Sequence, residues 1–361
     1  MSSHLVTGFP GFIGRRLVAA LLEREPDDSV IALVEPRMVP AAREAALAID
    51  GGPRVEVLPG DIAAARLGLG EDRYERLSAE VEIVHHLAAI YDLAVPAPVA
   101  QRVNVEGTGN VLAFCRDAER LARLNYVSTA YVSGDRTGVV YEHELDLGQG
   151  FKNHYESTKF QAEVWVRSLA DRIPTTIFRP AIVVGDSRTG ETQKFDGPYY
   201  ALRFIAATDA RRMRVANIGR ASTPFNVVPV DFIVAAMVEL GRTAEAVGQT
   251  VHLCDPEPLS SAEMFSLLIE LYGARRASYR VPPRLVTAAL RLRPVRDFYG
   301  GTPPESIRYL NHPVRYDTRG ASALLAASGL RCPRFGEYAP AMVGFFGRHR
   351  DDPAFAPAAL R

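Results

Sequence analysis

The stretch TGFPGFIG, running from Thr7 to Gly14, decides the fold. Ahead of it, His4–Thr7 reads as a short strand. Behind it, Gly14–Arg24 reads as a helix with Leu17, Val18, Leu21 and Leu22 at helical spacing. Gly8, Gly11 and Gly14 are spaced G-x-x-G-x-x-G. The first glycine permits a tight turn, the second lets a pyrophosphate approach the backbone, and the third lets helix and strand pack closely. The helix N-terminus then offers free N–H groups and a partial positive charge to a phosphate. A glycine trio by itself also suits a plain tight turn. Its place between a clean strand and a clean helix makes dinucleotide binding the stronger reading.

The same rhythm continues outward. Ser29–Val34, Val55–Leu58, Glu82–Leu87, Arg123–Ser128 and Thr175–Arg179 read as strands. Ala41–Ile49, Val99–Ala118 and Tyr155–Leu169 read as helices between them. Alternation of this kind builds a parallel sheet covered on both faces, and right-handed crossovers favour a Rossmann-type, doubly wound α/β fold. After Gly185 the rhythm breaks. Val227–Val230 reads as a strand returning to the sheet, Phe232–Leu240 as a helix and Thr250–Leu253 as a further strand. From Pro256 the chain is helical with proline-rich joints. The expected organisation is a nucleotide-binding domain over 1–185, its sheet completed by 225–255, and a smaller, mostly helical C-terminal substrate domain from 186–224 and 256–361.

Composition narrows the function. The chain has 361 residues, 47% hydrophobic and 23% charged, and its 42 Lys+Arg balance 42 Asp+Glu. That neutrality excludes the positive field of a nucleic-acid binder. Cys115, Cys254 and Cys332 are too scattered for a disulfide framework or a metal pair, so no metal is expected. No apolar run is long enough to span a bilayer, and Met1–His4 lead straight into a strand, so a cytoplasmic protein is expected.

Several residues qualify the cofactor. Asp61, beside Ile62 after the third strand, is placed to accept from an adenine amino group; an N-cap of the next element is the competing reading. After the second strand a carboxylate suits the ribose of NAD, and a cation suits the extra phosphate of NADP. Here Glu35 argues for NAD(H), while Arg37, with Arg15 in the glycine-loop helix, argues for NADP(H).

The catalytic candidates lie in NHYESTKFQAE, Asn153–Glu163. Tyr155 and Lys159 are four apart at the start of a helix and share a face. A tyrosine can protonate a developing alkoxide if a neighbouring ammonium lowers its pKa. The fifth strand runs into Ser128 and Thr129, and a hydroxyl at that carboxyl edge can bind the substrate oxygen. Strand alternation lets one of the two face the cofactor, and Thr129 is the choice.

Together TGFPGFIG, HHLAA (His85–Ala89), NVEGTGNVL (Asn104–Leu112), VSTAYVSG (Val127–Gly134) and YESTK (Tyr155–Lys159) resemble the extended short-chain dehydrogenase/reductases. Within these the chain is most similar to the "male sterility" NAD-binding branch, which includes fatty acyl-CoA reductases and thioester-reducing domains. FRPAIVVGDSRTG (Phe178–Gly190) and NVVPVDFIV (Asn226–Val234) extend the similarity over roughly Leu5 to Leu253. The resemblance implies Thr129, Tyr155 and Lys159 as the catalytic triad. It implies that Gly8, Phe9, Pro10, Gly11, Phe12, Ile13 and Gly14 cradle the cofactor, that Leu87, Ala88 and Ala89 wall its ribose, and that Pro180, Ala181 and Ile182 meet the nicotinamide. Asn104 would sit in the helix that organises a proton-relay water in the wider superfamily, or serve as a structural helix-start amide. Glu35 stands where this branch often has Arg, and Phe9-Pro10 where small residues are commoner. NADP(H) is favoured by the family, with NAD(H) left open by Glu35, and a homodimer is a family expectation.

Other candidates carry two readings each. His154 reads as an exposed histidine rather than a tuner of Tyr155. His85 and His86 end a strand without a second ligand pair. Arg188, Lys194, Tyr199 and Tyr200 belong to a loop that either meets a CoA phosphate or carrier arm, or is solvated. Pro283–Arg293 is a basic amphipathic helix that either covers the core or touches a membrane or acyl chain peripherally. The expected function is hydride transfer from NAD(P)H to a carbonyl, best a fatty acyl thioester or long-chain aldehyde. A ketone/alcohol dehydrogenase or nucleotide-sugar epimerase, and a non-catalytic NADP sensor, stand as alternatives.

Overall fold

A computed structural model describes residues 2–91, 95–299, 301–304 and 306–356. Its centre is a seven-stranded parallel sheet: β1 (Ser3–Thr7), β2 (Ser29–Val34), β3 (Val55–Pro59), β4 (Ile83–His86), β5 (Arg123–Val127), β6 (Thr175–Pro180) and β7 (Thr250–Leu253). Their spatial order is β7-β6-β5-β4-β1-β2-β3. The interior strands β1, β2, β4, β5 and β6 are almost wholly buried, as a parallel sheet covered on both faces requires. The helix Phe12–Arg24 buries Gly14, Leu17, Val18, Leu21 and Leu22 along one face against the sheet.

Chain direction across the sheet reverses between β1 and β4, where Thr7 pairs with His86. A doubly wound sheet opens its ligand crevice at such a switch point, outside the carboxyl ends of the strands. The glycine loop, Leu87–Ala89 and Ser128–Thr129 all emerge at that edge.

The structure corrects two expectations. Val227–Pro229 does not join the main sheet; it pairs in parallel with Ile182–Val184 beyond the end of β6, and β7 alone takes the outer place. The long helix expected over Val99–Ala118 is three pieces in series: Ala97–Ala100, a wide π-helical turn at Gln101–Glu106, and Gly107–Asp117. Two small parallel pairs, Gly138–Val140 with Val314–Tyr316 and Val215–Asn217 with Arg276–Arg280, were not anticipated.

Beside the sheet a second apolar cluster gathers Phe195, Tyr199, Leu202, Ile205, Phe225, Phe265, Leu268 and Phe346, drawn largely from the helices Tyr199–Asp209, Ser261–Tyr272 and Phe335–His349. Ser261–Tyr272 starts on a reciprocal cap, Ser260 Oγ accepting from Glu263 N–H and the Glu263 carboxylate accepting from Ser260 N–H. The basic segment of Pro283–Arg293 splits into helices Pro283–Leu290 and Arg293–Phe298, and Val286 and Leu290 face this cluster. Among the described residues no helix is long and apolar enough to cross a membrane.

Candidate active site

One continuous cavity of about 1580 Å³ runs from the glycine loop, over the edge of the sheet, to the second apolar cluster. A small-molecule pocket typically occupies up to ~1,000 Å³, so this volume suits a dinucleotide and a second molecule together. Its nucleotide end is walled by Gly8 to Gly14, Glu35, Arg37, Asp61, Ile62 and Leu87–Ala89. Its far end is walled by Phe204, Ile218, Phe225, Met264, Ile307 and Leu310.

The glycine loop has the room a pyrophosphate needs. Gly8 has φ +91°, and a Cβ there would stand 2.9 Å from Ala88 N. A Cβ on Gly14 would stand 2.5 Å from the Gly8 carbonyl oxygen, so close packing of helix on turn requires glycine. Gly11 caps the helix without a side-chain hydrogen bond, and the first turn holds no acidic residue. The first N–H groups of this helix therefore face the cavity with their positive end free for an anion. The Phe9–Pro10 peptide is cis.

Glu35 and Arg37 meet each other, carboxylate to guanidinium, at 2.8 Å on the cavity wall. Arg15, which also argued for NADP, is turned away to Glu191 at 2.6 Å and lies off the wall. Asp61 accepts from Ala63 N–H at 2.8 Å, capping the turn, and is one of the residues that line the cavity.

At the middle of the cavity stand Thr129, Tyr155 and Lys159, with Pro180, Ala181 and Ile182 also on the wall. The helix His154–Ser168 brings Tyr155 and Lys159 to one face and begins on Asn153, whose Oδ1 accepts from Glu156 N–H at 3.0 Å. Thr129 is the hydroxyl neighbour that acts on the Tyr155 side chain. Burial pushes the Tyr155 hydroxyl up to about 12, against the pull of Thr129. Lys159 is not among the groups acting on it. The Lys159 ammonium donates to Tyr126 Oη at 2.9 Å and to the Val127 carbonyl at 2.7 Å. Burial, opposed by the charge of Glu163, brings Lys159 down to about 7.

Ser128 and Thr129 both line the cavity, but their hydroxyls have different partners. Ser128 Oγ donates to Glu163 at 2.5 Å. Glu163 also receives Arg179 at 2.6 Å and Arg167 at 3.0 Å. Burial alone would raise the Glu163 carboxyl; Arg179 and its other partners hold it below the usual carboxylate range. Arg179, wholly buried on the strand Thr175–Pro180, is the sequence feature that could have pointed to this network, because a buried charge requires a partner.

Asn104 is not on the cavity wall. It lies in the π-helical turn, 1% exposed, accepting from Ile90 N–H at 2.8 Å and donating to Thr158 Oγ1 at 3.0 Å. Its amide thus fixes the loop that carries Tyr91, whose ring stands edge-on to Tyr155 with centroids 5.1 Å apart. Tyr91, Tyr131 and Tyr309, absent from the residues that the sequence singles out, join the wall around the acid. Nothing in their local sequence marks them, since they come together only through the fold.

Of the loop residues weighed, Lys194 and Tyr200 line the cavity, Tyr199 is a core residue at 1% exposure, and Arg188 is exposed off the wall. His154 is exposed. His85 contacts His4 at 3.1 Å, and His86 contacts Thr7 Oγ1 at 2.7 Å and Thr108 Oγ1 at 3.0 Å. No group of His, Cys, Asp or Glu among the described residues is arranged to hold a metal.

The comparisons with known proteins agree with this geometry. A family model of NAD-binding proteins, described as male sterility protein, matches residues 6–237. Fatty acyl-CoA reductase wat of Drosophila melanogaster is 29% identical over 210 residues, covering 51% of this chain and 40% of its own length. A linear gramicidin synthase of Brevibacillus parabrevis is 28% identical over 274 residues, covering 70% of this chain and 5% of its own length. The chain therefore spans less than half the length of these curated relatives. The crystal structure of the terminal R domain from the myxalamid PKS-NRPS biosynthetic pathway superposes with a TM-score of 0.84 at 25% identity, covering 98% of this chain and 93% of that one.

Proposed function

The chain belongs to the male sterility protein family, and from that premise we propose that it is an NAD(P)H-dependent reductase of fatty acyl thioesters or long-chain aldehydes. The observation that carries the reading is one cavity with a phosphate-ready glycine loop at one end, an apolar chamber at the other, and Thr129, Tyr155 and Lys159 together on the wall between them. A nicotinamide cofactor held along Gly8–Gly14, Leu87–Ala89 and Lys159 would supply the hydride.

The chain's own residues do the rest. Thr129 and Tyr155 together grip the carbonyl oxygen, and Tyr155 gives it a proton as the carbon is reduced. An ammonium has three N–H donors; Lys159 commits one to Tyr126 and one to Val127, and keeps a third for the cofactor ribose. Phe204, Ile218, Phe225 and Met264 exclude water and receive the acyl chain. A thioester reduced once becomes a hemithioacetal, which loses its thiol to leave an aldehyde. We take the region beyond the sheet, 186–224 and 256–361, as the substrate-binding unit. NADP(H) is our preferred cofactor, read by Arg37 on the cavity wall. A second reading, reversible dehydrogenation or epimerisation with NAD(H), rests on Glu35 beside it.

The test is loss of nicotinamide absorbance with palmitoyl-CoA, a long-chain aldehyde and a ketone, each with NADPH and NADH. Acyl-CoA-dependent oxidation is expected. Tyr155→Phe should cut kcat by ~10²–10⁴, the range of a lost general acid, while cofactor still binds by fluorescence titration. Turnover with the ketone alone would move the chain to the second reading.

A further inference from the structure

Of the 42 cationic side chains in this protein only three are lysines: Lys152, Lys159 and Lys194. Every other Lys/Arg position is arginine. Arginine is a wide planar fork, whereas lysine is a compact ammonium that can address a single oxygen. Lys159 is the candidate ribose holder. Lys152 is packed behind the acid, donating to the Gly134 carbonyl at 2.5 Å and to the Glu156 carboxylate at 3.4 Å. Lys194 has no role in the mechanism above, yet it lines the cavity.

Its position is specific. Lys194 Nζ stands over the face of Tyr91 at 5.0 Å from the ring centroid, and Tyr91 stands edge-on to Tyr155 at 5.1 Å. The ammonium is thus within about 10 Å of the Tyr155 ring, and all three residues line the same cavity. It pairs with Asp196 at 2.8 Å and remains 40% exposed. Asp196 takes one of its three donors, and the aromatic face takes charge rather than a hydrogen bond. Two guanidinium forks, Arg293 and Arg296, also line the cavity.

We propose that Lys194 is a specificity-determining residue that donates a hydrogen bond to the first amide carbonyl of the pantetheine arm of an acyl thioester. That oxygen lies roughly 7 Å from the thioester carbon at ordinary bond lengths, within the reach of an ammonium so placed. A free aldehyde has no such oxygen. Lys194 therefore favours thioesters over aldehydes at one and the same catalytic pair. The inference rests on the reading of this site as a thioester reductase.

Two measurements on the full chain test it. With only three lysines, acetylation by acetic anhydride followed by mass spectrometry reads each amine separately. Palmitoyl-CoA and the palmitoyl thioester of pantetheine, which lacks the nucleotide, should both protect Lys194, whereas NADPH should not. Protection by the CoA ester alone would mean a phosphate contact and overturn the proposal, as would protection by neither. In Lys194→Gln and in the charge-keeping Lys194→Arg, the ratio of kcat/KM for palmitoyl-CoA to that for hexadecanal should fall about tenfold, carried by KM, the loss expected of one charge-assisted hydrogen bond. An unchanged ratio in both variants would overturn it. An unaltered protein that reduces no thioester, yet shows Lys194 protected by both thioesters, would sink the reading of function and leave this contact standing.

Discussion

Lys159 donates to the hydroxyl of Tyr126 across 2.9 Å, and that bond turns its ammonium toward the sheet instead of toward Tyr155, one helical turn away. Tyr126 is wholly buried on β5, and its ring also lies 4.4 Å from the ammonium. The lysine is thus held by two neutral oxygens and an aromatic face in a dry place, with the Glu163 carboxylate as the opposing charge that acts on it. Desolvation outweighs that help, and the amine is brought down to about 7.

A pH dependence of stability follows. Lys159 binds its proton near pH 10.5 when unfolded and near 7 when folded. Between those values the unfolded chain carries more protons, so the free energy of unfolding rises with pH. The benefit is complete above the unfolded pKa and is lost as pH falls through about 7. Buried Cys115, Cys254 and Cys332 are pushed upward by burial and oppose the trend once unfolded thiols ionise, so the clean window is roughly pH 7–8.5. The Tm difference between unaltered protein and Lys159→Met, measured in the absence of cofactor, should move in favour of the lysine across that window. A constant difference would mean that the folded amine titrates as an ordinary one.

Ser128 and Thr129 should fail in different ways. Ser128 serves Glu163 inside a charged, fully buried network, so Ser128→Ala should cost about 1–3 kcal/mol of stability by urea titration, as for a buried partner left unpaired, and kcat should change little. Thr129 serves the acid and also caps the next turn, accepting from Tyr131 N–H at 3.2 Å, so Thr129→Val should lower kcat by ~10²-fold, the loss typical of one oxyanion donor, with a stability loss of about 1 kcal/mol for the cap. An exchange of these two phenotypes would reassign the substrate-binding hydroxyl to Ser128.

How far the sequence could be read depends on how local each feature is. The seven main strands and the helix Phe12–Arg24 announce themselves because their burial patterns lie in neighbouring residues. Tyr155–Lys159 is legible for the same reason. Val314–Tyr316 pairs with Gly138–Val140 across nearly half the chain, and no local pattern reports such a partner. The π-helical turn at Gln101–Glu106 was hidden because its side chains fit an ordinary helix; the wider turn appears only in the backbone, beside Asn104 and its grip on Ile90. Lys194 was visible as a loop cation, but its meaning came from Tyr91, far away in the sequence.

Arg37 should decide the cofactor. It is paired with Glu35 but remains 76% exposed on the cavity wall, so it can exchange that carboxylate for a phosphate. Arg37→Gln should lower kcat/KM with NADPH by about tenfold, the worth of a charge-assisted hydrogen bond, without a matching loss for NADH. A larger loss with NADH, or none with either, would hand the position to Glu35 and make NAD(H) the cofactor.

Gly14→Ala tests the loop itself. The added methyl would stand 2.5 Å from the Gly8 carbonyl oxygen, 3.0 Å from its carbon and 3.2 Å from Phe9 N. All three are backbone atoms of the turn, so relief requires the turn to move off the helix. Gly8 is itself fixed by φ +91° and by Ala88 close behind it, which leaves the turn little room to retreat. The displaced turn then fills the space above the helix N-terminus where the pyrophosphate would sit. Cofactor affinity by fluorescence titration should therefore fall by at least about tenfold, a loss of ~1.4 kcal/mol. The fall should be equal for NADPH and NADH because both carry the same pyrophosphate. Unchanged affinity would show that the phosphates do not rest on this loop, and a loss confined to one cofactor would place the damage at the adenosine ribose instead.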